Sequence, residues 1–143
     1  MINAIKADLS INSTFPSERL SQYLAQRGDE EGAFAVEALT PDASTRLYFR
    51  IPWPAAPGGT AVAAVYPEAF DPEVNPFLDL SRLLTEARIP IPEIYAVDGP
   101  RGLILQEDLG DQQLVGLLPQ VTAERRTQYL EKAVAIIADI QGA

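Results

Sequence analysis

Residues Ser44 to Ile51 alternate without a fault. Thr45, Leu47, Phe49 and Ile51 fall on one side of an extended chain, and Ser44, Arg46, Tyr48 and Arg50 on the other. Period two over this length specifies a strand with one apolar and one polar face. The preceding Thr40-Pro41-Asp42-Ala43 suits a type I turn, because Pro41 presets the first central dihedral. Phe34 to Leu39, before the turn, is itself strand-like. The segment therefore predicts a hairpin, and the rest of the chain must supply strands and helices that cover its apolar face.

Further along, Pro52-Trp-Pro-Ala-Ala-Pro-Gly-Gly59 continues neither strand nor helix and reads as a loop. Thr60 to Tyr66 is a strand of small residues, Glu93 to Val97 and Leu103 to Gln106 are two more, and Asp98-Gly-Pro-Arg-Gly102 is the turn between them. Helices are expected at Pro16–Arg27, where Leu20, Tyr23 and Leu24 share a face and Gly28 supplies a stop, and from Asn75-Pro76 to Arg88. In the second of these, Phe77, Leu80, Leu83, Leu84 and Ala87 form the expected apolar stripe. A last helix runs from a Thr122 cap to about Gln141, with apolar residues over a wide arc. Residues 1–13 show no period and read as an arm. The expected fold class is α+β, built on a five-stranded antiparallel sheet.

The chain has 143 residues, enough for a core without metal or disulfide support. Cysteine is absent, which fits a reducing compartment, and no run is long and apolar enough to cross a bilayer. The N-terminus lacks the basic end and apolar run of a signal peptide, so a cytoplasmic location is expected. A net charge of −9 argues against general binding to nucleic acid or anionic membrane. Only two of the eleven basic residues are lysine, Lys6 and Lys132, both outside the expected sheet. A fixed positive charge acting on an anion at the sheet must come from arginine.

Two segments carry candidate chemistry. The turn and following strand offer backbone N–H groups with Ser44, Thr45, Arg46, Tyr48 and Arg50, the two arginines four apart on one strand face, an arrangement suited to a phosphate, which arginine binds in a fork. A plain hairpin with solvated arginines has the same spacing. The second segment is Glu107-Asp108-Leu109, leaving a buried strand. There the Glu107 C=O and Leu109 N–H can pair with a flat heterocycle such as adenine, side-chain charge being incidental. A solvated acidic turn is the alternative. Histidine is absent altogether, and there is no Walker lysine motif, dinucleotide fingerprint or Ca²⁺ loop.

Asp42-Ala-Ser-Thr-Arg-Leu-Tyr-Phe-Arg50, Ile89-Pro-Ile-Pro-Glu-Ile94 and Leu103-Ile-Leu-Gln-Glu-Asp-Leu-Gly-Asp111, in this order, resemble landmarks of the aminoglycoside-phosphotransferase-like kinases. The resemblance is greatest to the bacterial branch that phosphorylates N-acetylmuramate and N-acetylglucosamine. It implies a protein-kinase-like N-terminal lobe, a hinge, and the first helix of a C-terminal lobe. The divisions would be 1–33 (arm and helix), 34–107 (small lobe) and 108–143 (hinge and start of the large lobe). It implies ATP and Mg²⁺, with Ser44, Thr45, Arg46, Tyr48, Glu107, Asp108 and Leu109 around the nucleotide. The sugar acceptor, the Mg²⁺ ligands and the catalytic His-x-Asp loop would belong to a large lobe beyond Ala143, so the chain would not be catalytic alone. Thr60–Tyr66 lacks the usual phosphate-holding lysine, and in this branch an arginine such as Arg46 would substitute. The apolar last helix would pack on this domain's own sheet and helices, or be covered by further polypeptide, by a partner, or by a second copy in a homodimer.

Overall fold

The computed structural model describes residues 15–27, 36–40 and 45–142. The expected arm, the Gly28 stop and the Thr40–Ser44 turn beyond Thr40 lie outside the described residues. Elements run α1 (Pro16–Gln26), β1 (Glu37–Ala38), β2 (Leu47–Pro52), β3 (Thr60–Val65), α2 (Pro76–Glu86), β4 (Ile94–Asp98), β5 (Leu103–Glu107), α3 (Leu114–Leu117), a 3₁₀ turn (Leu118–Gln120) and α4 (Ala123–Gly142). The class is α+β, as expected. All pairings in the five-stranded sheet are antiparallel, in the order β1-β2-β3-β5-β4. The chain divides into two compact units: Met1–Asn75 with Glu93–Asp108, and Pro76–Pro92 with Leu109–Ala143.

In the first unit, β3 is the central strand, and every residue from Ala61 to Val65 is buried. Small side chains there let neighbouring layers approach closely. One sheet face presents Phe49, Ile51, Ala61, Ala63, Val65, Leu103 and Leu105, and Leu20 and Leu24 of α1 join the same core. Pro16 opens α1, where its missing N–H has no helical partner to lose. Arg19 ties the helix down: its buried guanidinium donates to the carbonyls of Arg101 at 2.9 Å and Tyr66 at 2.6 Å.

Strand β2 extends through Pro52, one residue past the expected loop boundary. Trp53 N–H donates to the Gly59 carbonyl at 2.7 Å, so the neighbouring Pro52–Thr60 pair is the non-hydrogen-bonded kind, where proline's missing donor costs nothing. Trp53 itself is buried, with the Arg27 guanidinium 4.3 Å from its ring centre and Tyr95 stacked on it at 6.5 Å. A register shift between Ile94 and Ala96 marks a bulge at Tyr95. The β4–β5 turn needs a glycine at 102: its φ is +65°, and a Cβ there would lie 2.5 Å from the Glu68 carbonyl oxygen.

The second unit is helical. Arg88, with φ of +59°, stops α2; the Arg88 and Ile89 amides donate back to the Thr85 and Leu84 carbonyls in a Schellman arrangement. The buried face of α2 differs from the expected stripe. Leu78 and Ser81 are buried, whereas Leu80 and Leu83 are 52% and 55% exposed. Ser81 tolerates burial because its hydroxyl donates to the Phe77 carbonyl at 2.8 Å. Helix α3 and the 3₁₀ turn were not expected from the sequence. Thr122 precedes α4 and accepts a long bond, 3.4 Å, from the Arg125 amide. Glu124 bonds its own amide and the Thr122 hydroxyl, which holds its carboxyl below the ordinary value. No described residue of α4 is buried; Leu130, Val134, Ile137 and Ile140 are all exposed. No helix among the described residues is long and apolar enough to cross a membrane.

Candidate functional site

Strand alternation sends Phe49 and Ile51 into the α1-side core and leaves Tyr48 and Arg50 on the opposite face. Arg46, just before β2, joins these even-numbered residues. Its guanidinium lies 5.8 Å from the Tyr48 ring centre and 5.4 Å from that of Tyr66, and its Nη1 is 3.4 Å from the Tyr66 hydroxyl. Tyr66 is braced in turn by Phe70, ring centre to ring centre 4.7 Å. Two aromatic faces thus hold one half-buried cation.

Arg50 is engaged differently. Its Nε donates to Asp108 Oδ2 at 2.6 Å and its Nη2 to Asp108 Oδ1 at 3.2 Å, a two-pronged ion pair. Thr60 Oγ1 donates to Asp108 Oδ2 at 2.8 Å, and Glu37 Oε2, directly across from Arg50 on β1, lies 3.5 Å from Nη1. Only 8% of the Asp108 side chain and 18% of the Arg50 side chain reach solvent. From the sequence, the charge of the Glu107–Leu109 connector is expected to be incidental. At Asp108 the carboxylate is instead the centre of a clamp joining β2, β3 and the exit of β5.

The backbone of the connector is set by register. Tyr66 N–H donates to the Gly102 carbonyl, so even-numbered residues of β3 exchange bonds with β5. Glu107, opposite Ala61, therefore turns its peptide groups away from β3. Its N–H donates to the Glu93 carbonyl at 2.7 Å, and its side-chain Oε2 accepts from the Glu93 N–H at 3.2 Å. Nearby Tyr95 is raised above its ordinary value of 10.0, first by desolvation and then by the Glu93 and Glu107 carboxylates.

Of the residues singled out from the sequence, Arg46 and Tyr48 come together. Asp108 meets Arg50 and Thr60. Thr45 is exposed, Leu109 is 69% exposed at the start of the second unit, and Ser44 lies outside the described residues. Thr60, Glu37 and Tyr66 were missed. The signal that finds Thr60 is its place in register: it opens β3, and the pairing of Ala61 with Glu107 sets it opposite Asp108. Among the described residues no three acidic, His or Cys side chains gather in a way that holds a metal ion.

No family model matches the chain. It is 35% identical over 91 residues to a protein of Pseudomonas putida named N-acetylmuramate/N-acetylglucosamine kinase. The match covers 62% of this chain and 25% of that relative, so the chain corresponds to about a quarter of the relative's length. This similarity supports a kinase relationship.

Proposed function

We propose that this chain is the ATP-gripping part of an aminoglycoside-phosphotransferase-like kinase that phosphorylates an amino sugar. The observation that carries the reading is Arg46, fixed between Tyr48 and Tyr66 on the non-core face of β2 and β3. In a sheet whose third strand has no lysine, it supplies a pre-oriented fork for the triphosphate. The edge of Glu107, with the Leu109 N–H that follows, reads the adenine. The similarity to a named sugar kinase supports the same class of reaction, and sugar as the acceptor. ATP is a substrate here, and Mg²⁺ would neutralise its phosphates. With no acidic cluster among the described residues, no ligand for that ion is assigned to this chain. The residues present bind and orient. The chain has no histidine for a His-x-Asp loop, so on this reading it does not transfer phosphate alone. The division into a small lobe, a hinge and the first large-lobe helix belongs to the same proposal, as does a cytoplasmic location.

The test is a melting titration with MgATP. A ligand of the native state adds about 2.7 kcal/mol at a hundredfold excess over Kd, or roughly 5–10 °C for a chain of this size. Arg46→Ala is expected to abolish the shift, measured from the variant's own melting temperature without nucleotide. Absence of any wild-type shift at millimolar MgATP refutes the reading. A second reading, a non-catalytic scaffold, draws on the exposed Leu130, Val134 and Ile137 of α4. It requires the protein to sediment as a concentration-dependent dimer and to ignore ATP.

A further inference from the structure

We infer that the Arg50–Asp108–Thr60 clamp is a positioning device that fixes the connector for the base of the nucleotide; this rests on the nucleotide reading above. The connector is anchored from two sides by different chemistry. On the β4 side the Glu107 N–H is held by the Glu93 carbonyl and the Glu107 carboxylate holds the Glu93 N–H. On the β2–β3 side the next residue, Asp108, is held by three bonds: two from Arg50 and one from Thr60. Adjacent residues pinned in opposite directions leave the intervening peptide little freedom to rotate. That peptide carries the Glu107 C=O, the acceptor assigned to adenine.

Leu109 is largely exposed, and Gly110 adopts a φ of +74° with nothing near its would-be Cβ. The clamp sits where the chain leaves β5. Its members touch neither base nor phosphate on this reading; they act through the main chain they hold. Pre-organisation of this kind raises affinity by removing an ordering cost that the ligand would otherwise bear.

The experiment compares two ligands by calorimetry on the whole chain: MgATP, which has a base, and magnesium tripolyphosphate, which has none. The variants are Thr60→Val, which removes one bond and keeps the ion pair, and Asp108→Asn. Thr60→Val is expected to weaken ATP about threefold and Asp108→Asn about tenfold, with tripolyphosphate affinity unchanged in both. General loss of structure would lower both affinities together, so the ratio isolates positioning. If the wild type binds ATP and the variants leave the ATP-to-tripolyphosphate ratio untouched, the positioning role is overturned while the nucleotide reading stands. If the wild type binds no ATP, both are overturned.

Discussion

Replacing Asp108 with alanine offers the sharpest test of the packing argument, because it needs no ligand. The substitution takes from Arg50, whose side chain is only 18% exposed, its two-pronged carboxylate partner and removes the acceptor of the Thr60 hydroxyl. Breaking a buried ion pair from one side costs about 3–5 kcal/mol. Two features place this one at the lower end. Arg50 retains some access to water, and Glu37 sits 3.5 Å from Nη1, although that carboxylate is exposed and screened. The expected loss is therefore about 3 kcal/mol, the Thr60 bond included. With a urea dependence of about 2 kcal/mol per molar, the unfolding midpoint should fall by about 1.5 M. Trp53 is the sole tryptophan and is buried in the core of the sheet unit, so its fluorescence reports this unit. The paired control is Arg50→Met with Asp108→Leu, which removes both charges and fills the space. It should recover to within about 1 kcal/mol of wild type. A midpoint change below about 0.25 M in Asp108→Ala, or a double variant as weak as the single one, refutes the reasoning.

Two further predictions use the same assay. Gly102→Ala forces a side chain into positive φ and against the Glu68 carbonyl, so it should cost about 2 kcal/mol or more; an unchanged midpoint would mean that the β4–β5 turn has room for a methyl group. Tyr95 should make stability fall above pH 10.0, because the unfolded chain loses this proton first and the folded state then holds more protons than the unfolded one. Urea midpoints measured from about pH 9 to 11 should decline less steeply in Tyr95→Phe, and equal slopes would remove the burial and carboxylate effects assigned to this phenol.

How much of this was legible beforehand depends on the range of the interactions involved. Strands β2 to β5 were legible because period two and proline punctuation are local signals, and each strand announces its own faces. Leu20 and Leu24 were legible for the same reason, being one helical turn apart. The buried side of α2 was not. Its sequence is apolar at 77, 78, 80, 83, 84 and 87, which covers two faces, and periodicity cannot say which face meets protein. Leu80 and Leu83 made the longer stripe, yet Leu78 and Ser81 went inside, the serine satisfied by a carbonyl four residues back.

The role of Asp108 was hidden by distance along the chain. Read locally, Glu107-Asp108-Leu109-Gly110-Asp111 is a polar turn, and its partners lie 58 and 48 residues earlier. What unites them is parity. Arg50 stands opposite Val62, Val62 opposite Gln106, and Ala61 opposite Glu107, so residues 50, 60 and 108 emerge on one face near the same end of three adjacent strands. A slip of one residue in β5 would send the Asp108 carboxylate to the face occupied by Ile51 and Ala61, away from Arg50 and Thr60, into the apolar core. The ion pair therefore penalises the misregistered sheet by the desolvation of a lone carboxylate, which exceeds what any single apolar pair in β3 contributes. The same three residues that anchor the connector thus also select the register on which the connector depends.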